Sequence, residues 1–166
     1  MDKRIQEALD TPADYSQDFT RKVAVICARV SKDLGFSLHQ DDDMNYSSSQ
    51  RLFVFMDKSS NVCSKESPKS TYELVFLLSS KACFFTALCL RKVKDRASGT
   101  EHWEIVRHAV ASEVEEMMES IAQKVEEHSG HVQLKGDLLN QKVEGKFTEM
   151  DGAAATVFEV LFSELY

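Results

Sequence analysis

From Ser16 to Leu34 the apolar residues Phe19, Val23, Ile26, Val30 and Leu34 recur every third or fourth position, which lays a single stripe along one helix. Ser16 is placed to cap it, Asp18 sits in its first turn and Gly35 stops it. Leu52 to Met56 predicts a short strand with apolar residues on both faces. Tyr72 to Ser79 and Ala82 to Val93 predict two more, joined as an antiparallel hairpin about Ser80-Lys81. Neither alternates cleanly: Leu74, Phe76 and Leu78 interleave with Val75 and Leu77. A sheet with one wet face would alternate, so both faces are expected to be covered.

After a polar turn, Trp103, Val106, Val110, Val114, Met117, Ile121 and Val125 again recur every third or fourth residue, and His128 and Gly130 supply a helix end. The preferred reading is one long helix from about Ser98, whose spacing to Glu101 fits a capping box. The competing reading makes Glu101 to Arg107 a strand and starts the helix at Ser112. The tail alternates at Val132 and Leu134 and again at Val143, Gly145 and Phe147, a candidate hairpin. Asp151 is placed to cap a last helix carrying Val157, Phe158, Leu161, Phe162 and Leu165. The fold class predicted is α+β, a mainly antiparallel sheet with covering helices in the order α-β-β-β-α-β-β-α. Residues 1–15, polar and ending near Thr11-Pro12, are expected to form a flexible arm, and 16–166 a single α+β domain. The serine-rich stretch 57–70 is expected to be a long flexible connection, in which Ser67-Pro68 is a candidate phosphate acceptor.

The chain has 166 residues and is 43% hydrophobic, which excludes a disordered or low-complexity polymer. Its N-terminus has no apolar core of a secretory signal. The longest apolar stretch, Leu74–Leu90, is interrupted by Ser79-Ser80-Lys81, so two strands are expected in place of a membrane span. Cys27, Cys63, Cys83 and Cys89 form no CxxC and are read as reduced thiols, three buried and Cys63 exposed. These features together lead us to expect a cytoplasmic protein.

The net charge of -7 is unevenly spread: residues 58–99 carry +5 and residues 100–128 carry -6. Such blocks attract each other within one molecule or between two copies.

No glycine-rich phosphate loop, nucleophile elbow or HExxH occurs, so neither a cofactor nor a catalytic residue is assigned. His128 and His131 are spaced for a metal, yet Gly130 between them fits a helix end better, and no metal site is expected. Asp41-Asp42-Asp43 lacks the glycine spacing of a calcium loop. A Cys-His pair of Cys63, Cys83 or Cys89 with His102 has no local support. The basic run Arg91, Lys92, Lys94 and Arg96 has no interleaved aromatics in a chain of pI 5.2, so nucleic acid is not an expected partner.

A long helix of about 40 Å exceeds what so small a domain uses internally, so part of its stripe is expected to meet another molecule. The chain is therefore read as a non-catalytic intracellular protein-binding domain, a homodimeric adaptor or chaperone-like protein with an isologous interface. The candidate partner-binding residues are Trp103, Val106, Val110, Glu113, Glu116, Arg91, Lys92 and Lys94. Two alternatives stay open. One is a small ligand-binding domain or enzyme with a pocket between sheet and helices. The other is an acidic immunity or inhibitor protein, whose face from Glu113 to Glu127 blocks a basic partner in a salt-sensitive way. The order of elements, the acidic pI and the size are similar to those of the small dimeric chaperones of bacterial type III secretion. That resemblance implies a partner segment wrapped round a dimer along apolar patches.

Overall fold

In the computed structural model, residues 2–41, 47–106, 110–148 and 151–163 are described. Asp42, Asp43, Arg107 and Leu165, which figure in the sequence expectations, lie outside them. The chain is mixed α+β with a mostly antiparallel sheet, and the predicted order of elements is present with several additions. Strands β1 (His39–Asp41), β2 (Ser49–Met56), β4 (Tyr72–Ser79), β5 (Phe84–Lys94) and β6 (Glu101–Ile105) lie side by side in the order β1-β2-β4-β5-β6. The two-residue β3 (Val62–Cys63) extends the outer edge of β2, and β7 (Val132–Gln133) pairs in parallel with the start of β5. The apolar stretch Leu74–Leu90 is the β4–β5 hairpin, and no helix among the described residues is long and apolar enough to cross a membrane.

Both faces of the sheet are covered, as the uninterrupted apolar pattern requires. Leu52, Val54, Leu74, Phe76, Leu78 and Phe85 point to the first face. There they meet Val23, Ile26 and Val30 of α2 (Gln17–Leu34) and Val114, Ile121 and Val125 of α3 (Ser112–Ser129). Val75, Leu77 and Phe84 point to the second face, against α1 (Lys3–Asp10), α4 (Val157–Phe162) and the small sheet of β8 (Lys142–Phe147) and β9 (Ala154–Thr156). Helix α2 has the predicted ends: the Ser16 hydroxyl accepts from Phe19 N, and Gly35 takes the left-handed conformation at φ 75°. Gly130 closes α3 in the same way.

Four local expectations are corrected. Residues 3–10 are not an arm but a helix, capped by Asp2 and anchored through Ile5, Ala8 and Leu9, with Thr11-Pro12 ending it. The long helix is divided: 101–105 is strand β6, and α3 spans only 18 residues, about 27 Å. Ser98 lies in the turn between β5 and β6, where the Asp95 carboxylate accepts from Ala97 N and Ser98 N, so it caps no helix. Val132 and Val143 do not share a hairpin, because β7 joins the main sheet and β8 pairs with β9.

The last helix is held at both ends by hydroxyls. Thr156, not Asp151, caps its start, in a reciprocal box with Glu159, while Asp151 accepts from Ala153 N. At its other end the carbonyls of residues 160–162 accept from Ser48, Ser79 and Ser49, the last at 2.6 Å. Replacing Thr156 by alanine is expected to lower stability by about 1 kcal/mol in urea unfolding, since its hydroxyl accepts from Glu159 N, a first-turn donor with no partner inside the helix.

Candidate functional site

Helices α1 and α4 pack on one end of the second face of the sheet. Across the other end runs a row of rings. His39 on β1 lies 5.4 Å from Phe53 on β2, Phe53 lies 5.5 Å from Phe55, and Phe55 lies 5.7 Å from Trp103 on β6. Phe55 and Trp103 sit on strands separated by β4 and β5, so their side chains lean towards each other above those two strands. The row exists because odd positions of β2 and β6 share this face. The Nε2 atom of His39, at the far end, is buried with no hydrogen-bond partner among the described residues.

Charges hold the row in place. The Arg51 guanidinium stacks 4.7 Å from the centre of the Phe53 ring and bonds the carboxylate of Glu73, which is directly opposite Phe55 on β4. Glu73 is only 2% exposed, and burial pushes its carboxyl above the usual range, against the opposing pull of Arg51. Lys92 reaches 5.0 Å from the Trp103 ring, forms an ion pair with Glu66 at 3.2 Å and donates to the Ser67 carbonyl at 3.4 Å. Lys92 thereby fastens the 57–70 stretch to the sheet, and turns built on Asp57 and Ser70 order that stretch internally.

The sequence-derived candidates are divided by the fold. Trp103 and Lys92 meet on the second face. Val106 and Val110 are half-buried against the first core, and Glu113 and Glu116 stand exposed on α3. Arg91 and Lys94 are exposed on β5, directly across from Glu104 and Glu101. The basic end of one block and the first two glutamates of the other therefore lie side by side in the β5–β6 hairpin, while the remaining glutamates of 100–128 lie on α3. Sequence reasoning missed His39, Phe53, Phe55, Arg51 and Glu73. The alternation of Arg51, Phe53 and Phe55 along one strand was the available signal, hidden by the apolar residues between them.

β6 is the last strand of the main sheet on this side among the described residues. Its ladder to β5 includes Asp95 N donating to the Thr100 carbonyl and Val106 N donating to the Cys89 carbonyl. That phase turns the backbone groups of His102 and Glu104 towards β5 and those of Glu101, Trp103 and Ile105 outward. Ile105 is 43% exposed.

A second concavity, of about 790 Å³, opens between the first half of α2, the β4–β5 turn and the end of α3. Phe19, Val23 and Ile26 line it, with Lys22, Cys83 and His131. Burial lowers the His131 pKa, and the ring approaches the Ser129 carbonyl at 3.3 Å. The exposed thiol is Cys83, not Cys63, because Cys83 still belongs to the hairpin turn. Cys89 is buried and its thiol is pushed up to about 11. His102 bonds Glu104 at 2.8 Å and His128 bonds Asp33 at 2.8 Å. Among the described residues no group of three or more His, Cys, Asp or Glu is arranged to hold a metal ion.

These features define a three-layered α+β fold with an aromatic and cationic strip that ends at β6, which has no outer strand among the described residues. Comparison with protein-family models, with curated proteins and with solved structures finds no match to the chain.

Proposed function

We propose that this chain is a non-catalytic protein-binding domain that works as a homodimer, in the manner of an adaptor or chaperone-like protein. The observation that supports it is the row from Phe53 to Trp103 on the second face, which runs out at β6, a strand with no outer partner among the described residues. A strand of a second copy gains main-chain hydrogen bonds at such an edge, and a protein partner gains side-chain contacts on the aromatic strip beside it. Trp and Arg, both present here, are the residue types that carry binding energy at protein interfaces. The long-helix argument for a partner falls with the helix itself, and the open edge takes its place.

Light scattering at micromolar concentration is expected to give about twice the 18.8 kDa chain mass, and a monomer mass removes the homodimer. A partner captured from native extract is expected to bind the purified wild-type chain and to be lost from Phe53→Ala. Equal binding by a folded Phe53→Ala chain removes the strip from the interface.

The cleft at Phe19 and His131 supports a second reading, a small-ligand site, since its volume suits a drug-sized molecule. A ligand that raises the melting temperature of the wild type but not of Val25→Lys, a change at an exposed residue of the cleft lining, favours that reading.

A further inference from the structure

We propose that the occupant of β6 is a second copy of this chain, added antiparallel about a two-fold axis at Trp103, so that one sheet runs through both molecules. This rests on the homodimer reading and specifies its interface. The strand is Glu101-His102-Trp103-Glu104-Ile105, and a two-fold at its centre sets His102 against Glu104 of the second copy, and Glu104 against its His102. These two side chains are hydrogen-bond complements: within one chain His102 Nε2 already lies 2.8 Å from Glu104 Oε1. The same axis sets Glu101 against Ile105, which keeps like charges from meeting directly across the edge.

The phase of the backbone agrees with the same register. The outward-facing residues are Glu101, Trp103 and Ile105, and the two-fold pairs Trp103 with Trp103 and Glu101 with Ile105. Each of these pairs exchanges both N–H···O bonds, while His102 and Glu104 fall in the non-hydrogen-bonded pairs, where side chains approach most closely. A shift by one residue would oppose inward-facing groups and lose both matches. The indole of Trp103 leans back over its own sheet towards Phe55, which leaves room at the axis for the second indole. Charged residues on both sides of so short an edge protect it from indiscriminate pairing. A self-complementary pattern admits one partner through that protection.

Two measurements test the interface. In a Cys63→Ser, Cys83→Ser background, a mixture of His102→Cys and Glu104→Cys chains is expected to form a mixed disulfide under mild oxidation, and neither chain alone to do so, because Cα atoms of such a pair fall within disulfide reach. Ile105→Pro removes an outward N–H from each copy without touching the β5 ladder, and is expected to weaken the dimer by about 30-fold, two hydrogen bonds at their usual worth. Glu101→Pro acts on the reciprocal donors and serves if Ile105→Pro fails to fold by circular dichroism. A dimer that forms no mixed disulfide and is unmoved by either proline overturns the β6 interface while the homodimer stands. A monomer at all concentrations overturns both.

Discussion

Phe76→Ala is expected to lower the unfolding free energy by about 3–5 kcal/mol, a large part of the stability of a domain this size. Phe76 lies at the middle of β4, with Leu52 and Ala87 as its register neighbours on β2 and β5. Its ring is fully buried in the first core among residues of α2 and α3. Ala87 beside it is already small, and the sheet is held on the other face by a second core, so neither neighbour can move in to fill the space. Urea unfolding monitored by tryptophan fluorescence checks this, with the denaturant slope expected to stay unchanged. Phe147→Ala is the internal control: that ring is exposed, and its loss is expected to cost under about 0.5 kcal/mol. Similar values for the two variants would contradict the packing described for β4.

Arg51→Met is expected to cost about 2–4 kcal/mol at neutral pH. The guanidinium is the charge partner of Glu73, whose carboxylate is buried between Phe55 on β2 and Leu90 on β5. Removing one member of a buried pair strands the other. The lower part of the usual range applies because Arg51 itself is about a third exposed and its contribution is partly screened. The pH dependence has a fixed sign. Burial raises the Glu73 pKa in the folded protein above its unfolded value, and loss of Arg51 raises it further. A raised carboxyl contributes stability below the unfolded value that is lost as pH rises through the folded one. The penalty of Arg51→Met is therefore expected to shrink as pH falls from neutral towards the usual carboxylate range. Adding Glu73→Gln is expected to restore much of the loss at neutral pH and to remove the pH dependence of the difference. A penalty independent of pH would mean that Glu73 is not the group left unpaired.

Two sequence signals were ambiguous for a physical reason. Trp103, Val106 and Val110 keep the helical interval with the true residues of α3, yet Trp103 and Ile105 also alternate with His102 and Glu104, the period of a strand. Over five residues both periods fit, and the ladder to β5 decides in favour of the strand. The serine run at 47–49, within 37–50, reads as a loop or a weak edge strand because its composition is polar. In the folded chain its hydroxyls donate to the carbonyls at the end of α4, more than a hundred residues away. Helix α1 was legible in principle, since Asp2 is a cap and Ile5, Ala8 and Leu9 share one side. Its polar remainder outweighed that short stripe.

The sequence by itself determined what depends on neighbours within a few residues. It marked the ends of α2 at Ser16 and Gly35, the β4–β5 hairpin, the end of α3 at Gly130, and a sheet too apolar to leave either face bare. Caps, turns and side-chain alternation are local, so a single chain carries them openly. Only the tertiary structure decided which strands adjoin, and with them the row from His39 to Trp103, the burial of Glu73 beside Arg51 and the terminal place of β6 in the sheet. Those features join residues from distant strands through contacts that hydrogen-bond register and the packing of two cores impose together, and no interval along the chain records that pairing.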